Sequence, residues 1–91
     1  MHVEYDATKN ETNIRERKLP FSLAAKFDFQ TATFKQDNRR DYGEIRIRAL
    51  GYLDGRLHTL VFTETAMGIR VISFRKANNR EVRTYGQETK P

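Results

Sequence analysis

Residues 44–74 read EIRIRALGYLDGRLHTLVFTETAMGIRVISF, and this stretch decides the fold class. At its start, Ile45, Ile47 and Ala49 alternate with charged residues, which is the two-residue period of a half-buried strand. Asp54 and Gly55 predict a tight hairpin turn, because both residue types tolerate the positive φ that such a turn requires. The stretch therefore predicts an antiparallel meander whose three strands cover residues 44–50, 57–64 and 69–74.

The chain before the meander predicts a short strand at residues 3–5, two helices and one further strand. Asp6 can cap a first helix that runs to about Arg17, because its carboxylate accepts hydrogen bonds from the free amides of the first turn. Pro20 breaks that helix and suits the first turn of a second one, which ends near residue 27 or 28. Residues 29–35 are rich in β-prone types and predict the further strand.

The chain after the meander predicts one C-terminal helix. Asn78 and Glu81 have the three-residue spacing of a capping box, and Gly86 is placed to end the helix in a left-handed conformation. Residues 86–91 are predicted to be a disordered tail. We therefore expect a single domain over residues 1–91 of the α+β class, with a short strand, two N-terminal helices, a three- to four-stranded antiparallel sheet and a C-terminal helix.

The composition is strongly basic. Seventeen Lys and Arg against twelve Asp and Glu give a formal net charge of +5. Most of the cations are arginine, whose planar guanidinium pairs with two phosphate oxygens at once. The composition therefore favours a phosphate-bearing target such as nucleic acid. A well-solvated basic surface with no such target is the alternative.

The residues that the chain lacks argue against a disulfide-stabilised protein, a metalloprotein and a membrane protein. There is no Cys, which excludes a disulfide and a thiolate metal site, and only two His argue against an imidazole metal centre. The polar N-terminus is not typical of a signal peptide, and the longest apolar run, residues 59–63, is far too short to span a bilayer. We expect a cytoplasmic protein with no metal, no cofactor and no membrane contact.

Few side chains are candidates for chemistry, and the motifs of nucleophilic, phosphate-cradling and zinc-dependent enzymes are missing. His58 lies on a predicted central strand, where it is either a satisfied histidine at the rim of the sheet or a general base for a ribose hydroxyl. Arg70 and Arg75, on the last strand and at its exit, are candidates for phosphate binding if a bulge brings both to one cleft. A surface or ion-pair role for each arginine is the alternative.

Four segments, in order along the chain, resemble the BrnT family, the toxins of a class of bacterial toxin–antitoxin pairs. They are residues 3–13, with VEYD followed by Lys9, Asn10 and Asn13; residues 19–21, LPF; residues 51–64, with GYLDGR and FTE; and residues 69–85, with IRVISFRKA, Arg80, Glu81 and Tyr85. The last segment is the most specific of the four. The resemblance implies a RelE-like α+β fold, endoribonuclease activity and neutralisation by a cognate BrnA-type antitoxin. It also implies that operator DNA is bound only through that antitoxin, which is dimeric and ribbon-helix-helix-like.

Two departures from the family pattern bear on activity. Glu16, Arg17 and Lys18 stand where the family usually has Lys-His-Gly, so a favoured helix stop and a titratable group are both replaced. Thr65 stands where many members have Arg. A weakened or inactive toxin is therefore an open alternative.

The resulting hypothesis is a metal-independent endoribonuclease that cleaves RNA and so inhibits translation. It gives Arg70 and Arg75 the phosphate and Lys9 an assisting role, because fixed positive charge stabilises the negative charge that builds up in the transition state. Glu64 or His58 would orient the ribose hydroxyl or accept its proton.

Further contacts to nucleic acid are predicted for Arg46, Arg48, Lys76, Arg80 and Tyr85. Tyr85 would stack on a base, unless it is a core contact of the final helix. Two other readings of the chain stay open. One is a non-catalytic module that binds nucleic acid or only docks on an antitoxin, and the other is a homologue that keeps the fold without the activity.

Overall fold

The structure is a computed structural model that describes all of residues 1–91. Its elements in chain order are β1 (His2–Tyr5), α1 (Ala7–Arg17), a 3-10 helix (Phe21–Lys26), β2 (Thr33–Gln36), β3 (Ile47–Leu53), β4 (Arg56–Glu64), β5 (Gly68–Lys76) and α2 (Asn79–Glu88). The five strands form one sheet in the order β1-β5-β4-β3-β2. None of the helices has the length and apolar character needed to cross a membrane.

The fold prediction was wrong about the sheet and about the second helix. The sheet has five strands and is mixed, because β1 pairs with β5 in parallel, with Val3 opposite Ile69. A parallel pair needs a long crossover, and most of the chain lies between these two strands, so no local pattern reports their pairing. The second helix is a 3-10 helix of six residues, Phe21–Lys26. Its apolar stripe covers too few turns to support a longer α-helix.

The central meander is confirmed. β3, β4 and β5 pair antiparallel, and Asp54 and Gly55 make the first turn with φ angles of 49° and 76°. The first strand of the meander, β3, begins at Ile47 rather than at residue 44, because residues 37–46 form a loop that lies over the sheet. The Thr63 hydroxyl donates to the Ile45 carbonyl of that loop at 2.8 Å. Ile45 itself, predicted on the buried face, is 63% exposed.

The predicted N-terminal caps of both helices are confirmed, with Asp6 capping α1 and a capping box between Asn78 and Glu81 at the start of α2. The predicted end of α2 was wrong, because the helix continues through Gly86 to Glu88. Glycine is favoured just past a helix end, but its presence does not by itself end a helix.

The hydrophobic core lies on one side of the sheet, which we call the core face. Buried side chains of β3, β4 and β5 pack there against the 3-10 helix and the chain that follows it. Phe74 and Leu60 are among the most deeply buried side chains, and the Phe74 ring meets that of Phe27 edge to face at 6.2 Å. Burial of these rings holds the short 3-10 helix on the sheet.

A β-bulge in β5 decides where its arginines point. Val71 and Phe74 both lie in the core, although regular alternation would put residues three apart on opposite faces. The pairing register with β4 shifts between them, which leaves Ile72 as an extra residue in β5. Arg70 and Arg75 therefore both point to the opposite side of the sheet, which we call the groove face.

The groove face is covered at two ends and open between them. Loop 37–46 covers one end, and α2 covers the other, where Tyr85 packs with Leu50 and Leu57 in a small second core. The open part of this face, bordered by both, is the place where a ligand can reach the sheet.

The short strand β1 pairs only with residues 68–71 of β5, and the helix α1 contacts the later part of that strand. The Asn13 side-chain amide donates to the carbonyls of Leu19 and Phe74 at 2.8 and 2.9 Å. Asn10 accepts from the Phe21 amide at 2.8 Å. The two asparagines that belong to the family-like opening thus attach the 3-10 helix and the end of β5 to α1.

Candidate nucleic-acid interface

A groove of about 340 Å³ crosses the groove face between loop 37–46 and α2. The charged side chains that line it are Lys35, Arg39, Arg48, Arg75, Arg80, Glu81 and Glu88. Five cations outnumber the two carboxylates that line the groove and the buried Asp37 that pairs with Arg39 and Arg48. This positive excess is the electrostatic feature expected of a phosphate-binding surface. The cations come from β2, loop 37–46, β3, β5 and α2, so the tertiary fold creates the site.

Arg75 is fixed in this groove by α2. Its Nη1 and Nη2 donate to the two carboxylate oxygens of Glu81 at 2.8 and 3.0 Å, and Glu81 also accepts from the Asn78 amide at 2.9 Å. One carboxylate therefore closes the capping box and orients the guanidinium. Bidentate pairing fixes the plane of the guanidinium as well as its position, while its remaining N–H groups can still bind a phosphate.

The Glu81 carboxyl is strongly acidic. Burial raises its pKa, but the hydrogen bonds from Arg75 and from the Asn78 amide outweigh that effect and lower the pKa from 4.5 to about 2. Glu81 is therefore ionised at neutral pH and is a weak base there. Its clearest role is to hold Arg75.

Asp37 organises the loop on the other side of the groove. Its side chain is only 1% exposed, and it accepts from Nε and Nη2 of Arg39, both at 2.8 Å, and from the Tyr42 hydroxyl at 3.2 Å. The hydrogen bond from Arg39 is the largest cause that holds the pKa of Asp37 far below its usual range. Arg48 lies 4.0 Å from the same carboxylate, so one buried anion positions two of the groove cations.

A second depression, of about 490 Å³, adjoins the groove at Arg75, which lines both. The end of α1 and the end of β5 line it, with Arg17, Lys18 and Lys76 as further cations and Glu16 as the carboxylate. Positive charge is therefore continuous from loop 37–46, past Arg75, to the C-terminal end of α1.

Arg70 does not share this groove with Arg75, contrary to the expectation that both meet in one cleft. The two residues are five positions apart along the strand, which is about 16 Å. The Nη2 of Arg70 donates to both oxygens of Glu44 at 2.6 and 2.8 Å, and Arg46 donates to the same carboxylate at 3.0 Å. Both hydrogen bonds lower the pKa of Glu44, and the one from Arg70 has the larger effect. Arg46 also lies over the Tyr42 ring, 4.2 Å from its centroid.

The residues predicted to handle the proton lie on the core face. His58 is 4% exposed, its Nδ1 lies 2.8 Å from the Arg56 carbonyl oxygen, and its ring is 5.6 Å from that of Phe74. Glu64 is exposed at the other end of β4, six residues and about 20 Å from His58. Neither residue faces the groove. No cluster of three or more His, Asp or Glu side chains is placed to hold a metal ion.

Tyr85 and Lys9 also lie outside the groove. Tyr85 is 8% exposed and its hydroxyl donates to the Thr31 carbonyl at 2.8 Å, so it is a core contact of α2 and its ring is not available to stack on a base. Lys9 is exposed on the first turn of α1, in a third depression that meets the second one at Arg17. It is eight residues and about 12 Å from Arg17, where the second depression begins.

Of the predicted nucleic-acid contacts, Arg48 and Arg80 line the groove and Lys76 lines the second depression. Sequence reasoning missed Lys35 and Arg39. The first lies on a short edge strand and the second in a turn, and no local pattern distinguishes them from other surface cations. Their place in the groove depends on loop 37–46, which carries no periodic signal.

Comparison with known proteins identifies one family. The family model described as "Ribonuclease toxin, BrnT, of type II toxin-antitoxin system" matches residues 5–81, which are 77 of the 91 residues. The matched range includes all five cations of the groove. No curated protein sequence matches the chain. The resemblance found from the four sequence segments is thereby confirmed.

Proposed function

The chain belongs to the BrnT family of ribonuclease toxins of type II toxin–antitoxin systems, and from that premise we propose that it is a metal-independent endoribonuclease that binds RNA in the basic groove. The observation that carries the proposal is the groove itself, where Arg75 is fixed by Glu81 and surrounded by four further cations. The phosphate backbone of RNA is the ligand that such an arrangement fits.

The proposed chemistry is attack of a ribose 2′-oxygen on the adjacent phosphorus, which forms a 2′,3′-cyclic phosphate as the bond from phosphorus to the 5′-oxygen of the next nucleotide breaks. Water accepts the 2′-hydroxyl proton and supplies a proton to the departing 5′-oxygen. Negative charge on the non-bridging oxygens grows during this step, and preorganised guanidinium groups stabilise it. Arg75 is the proposed contact to the reacting phosphate, because its orientation is fixed by two hydrogen bonds to Glu81. Arg48 and Arg80 are proposed to bind the phosphates next to it.

The groove offers no efficient general base for the 2′-hydroxyl proton. Its titratable acceptors are carboxylates, and no histidine lines it. Glu81, with a pKa of about 2, is a poor match for a general base at neutral pH. The proposal therefore assigns most of the rate enhancement to charge and positioning, and it predicts a slow ribonuclease.

The proposed partner is a BrnA-type antitoxin, dimeric and ribbon-helix-helix-like, that neutralises the protein and brings the complex to operator DNA. The support for this is membership of a toxin–antitoxin family. Without the antitoxin, RNA cleavage would inhibit translation. One antitoxin dimer would hold two copies of this chain.

The test is cleavage of end-labelled single-stranded RNA by the purified protein in EDTA, with Arg75→Lys and Arg70→Lys as matched variants. Arg75→Lys keeps the charge but loses the bidentate fork, so the cleavage rate should fall by about 100-fold. Arg70→Lys should cleave at the unchanged rate. An unchanged rate in Arg75→Lys, or cleavage that requires added Mg²⁺, would contradict the proposal.

A second candidate function is a non-catalytic module that binds RNA or docks on an antitoxin without cutting. One observation favours it: Arg17 lies beside Arg75 in the second depression, at the position where the family pattern has histidine. A guanidinium cannot accept a proton. Retardation of RNA without any cleavage by the native chain, together with cleavage by Arg17→His, would support this candidate, whereas cleavage by the native chain excludes it.

A further inference from the structure

We propose that the free edge of β2 is a docking site for an acidic, extended peptide segment of a protein partner, which adds a strand to the sheet. β2 has β3 as its only strand neighbour, so its other edge is unpaired. Phe34, Lys35 and Gln36 are all exposed there. The proposal rests on the proposed function only for the identity of the partner, which in a toxin–antitoxin pair is the antitoxin.

The backbone groups at this edge follow from the pairing of β2 with β3. Just past the strand, the Asp37 amide donates to the Arg46 carbonyl at 2.8 Å. In an antiparallel pair the hydrogen-bonded positions alternate, so the residues that lie between such positions, Phe34 and Gln36, direct their N–H and C=O groups outward. An added strand can pair with these groups, which is the usual mode of recognition by β-augmentation.

An apolar depression on the core face gives such a strand an anchor. Phe34, which is 51% exposed, borders a depression of about 430 Å³ that is also lined by Phe29, Ile47, Phe62 and Ile69. A strand paired with β2 would direct every second side chain to the core face, beside Phe34 at the near end of this depression. Proteins usually protect an edge strand against unwanted pairing, so an exposed aromatic ring at this edge indicates a surface that is covered in a complex.

The charges that select the partner lie on the other face of β2. Lys35, Arg39 and Arg48 line a depression of about 350 Å³ beside the strand. The side chains of an added strand that alternate with its apolar anchors would point toward these cations. Carboxylates complement them, and a chain of net charge +5 attracts an acidic segment over some distance. The occupant is therefore a segment in which apolar and acidic residues alternate.

The position of this edge has a consequence for RNA. Lys35, Arg39 and Arg48 line the groove as well as the depression beside β2. An acidic segment that pairs with these three cations removes them from the surface available to RNA. Docking at β2 would therefore neutralise the protein by competition, without any contact to Arg75.

The experiment is a titration of the isotope-labelled full chain with a short end-blocked peptide of alternating Glu and Val, followed by backbone amide NMR. A peptide of alternating Lys and Val is the matched control. Shifts should concentrate at Phe34 and Gln36 with the Glu peptide only. Gln36→Pro removes an outward N–H without removing a bond to β3, so it should weaken binding by about tenfold. Gln36→Ala, which keeps the N–H, should bind as the native chain does.

Several results would overturn the inference. They are equal binding of the two peptides, no binding of either, equal affinity of Gln36→Pro and Gln36→Ala, and loss of RNA retardation in Gln36→Pro, which would assign the edge to nucleic acid. Failure of the proposed function is a separate result. If the native chain neither binds nor cleaves RNA but the Glu peptide still docks at Gln36, the ribonuclease proposal fails and the docking site stands.

Discussion

At the C-terminal end of α1, Lys18 adopts a left-handed backbone conformation. It ends α1 with φ 56° and ψ 32°, and its amide donates to the Ile14 carbonyl at 2.9 Å. This left-handed conformation strains a residue that has a Cβ atom, whereas glycine adopts it freely. The chain thus ends the helix here without the glycine of the family pattern, at a cost of about 1 kcal/mol.

Lys18→Gly should therefore raise the free energy of unfolding by about 1 kcal/mol. The matched control is Glu16→Gly, inside the exposed last turn of α1, which should lower it by about the same amount. Urea denaturation measures both. Destabilisation by Lys18→Gly would show that the strain is not there.

Gly51 is required for a different reason, which is close packing rather than φ. A Cβ atom at this position would lie 2.6 Å from Cζ of Phe27 and 2.9 Å from Cβ of Ala32, and Phe27 is itself held in the core. Gly51→Ala should lower the free energy of unfolding by about 1–3 kcal/mol. Gly86→Ala, where nothing lies within 4 Å, should raise it by about 1 kcal/mol as a helical position. Equal shifts in thermal unfolding temperature for the two variants would contradict this account.

At the scale of elements, the ion pair between Arg75 of β5 and Glu81 of α2 fixes the geometry of the groove. Arg75 closes β5 and Glu81 opens α2, and their bidentate pair joins the two. The capping box at Asn78 was readable from spacing alone, because it is a local motif. The pairing of Glu81 with Arg75 could not be predicted from the sequence, because the direction of the Arg75 side chain depends on the bulge at Ile72.

This bond predicts a pH dependence. The folded-state pKa of Glu81, about 2, lies below its ordinary value of 4.5. Its contribution to the free energy of unfolding is therefore complete above about pH 4.5 and is lost as the pH falls toward 2. Glu81→Gln should flatten the acid limb of the stability curve. Because the pKa values of Asp37 and Glu44 are also lowered, part of the limb should remain.

Urea denaturation at a series of pH values checks this prediction. Glu88→Gln, at the other end of α2, makes the same change in charge without touching Arg75 and should leave the acid limb as it is in the native chain. An acid limb that is unchanged in Glu81→Gln, or equally flattened in both variants, would contradict the role given to the ion pair.

Sequence patterns predicted the elements that depend on neighbours in the chain and failed where distant segments meet. The meander with its Asp54–Gly55 turn and the cap at Asp6 are local and were found. The parallel partner of β1 is not local, and the amphipathic signal for the second helix was too short to separate a 3-10 helix from an α-helix. Hydrophobic alternation also extended the first meander strand into residues 44–46, where the Thr63 hydroxyl donates to the Ile45 carbonyl and the Asp37 amide donates to the Arg46 carbonyl of the loop.

At the scale of the whole molecule, the positive charge is divided between two regions with different uses. In one region Arg70 and Arg46 pair with Glu44 and stabilise loop 37–46. In the other, five cations from five segments form the groove. Composition predicted an excess of arginine directed at phosphate, and the family resemblance predicted a ribonuclease. Neither could tell which arginines line the groove, because their placement depends on the bulge in β5 and on loop 37–46, which carries no sequence signal.

The central claim is that the groove between loop 37–46 and α2 binds the RNA backbone, and the salt dependence of RNA binding tests it most directly. Arg80 lines the groove, whereas Arg83, one turn further along α2, does not. The logarithm of the binding constant for single-stranded RNA should fall linearly with the logarithm of salt concentration, and Arg80→Gln should reduce the slope by about 0.7. Arg83→Gln should leave the slope unchanged. Equal slopes for the two variants, or a loss confined to Arg83→Gln, would contradict the claim.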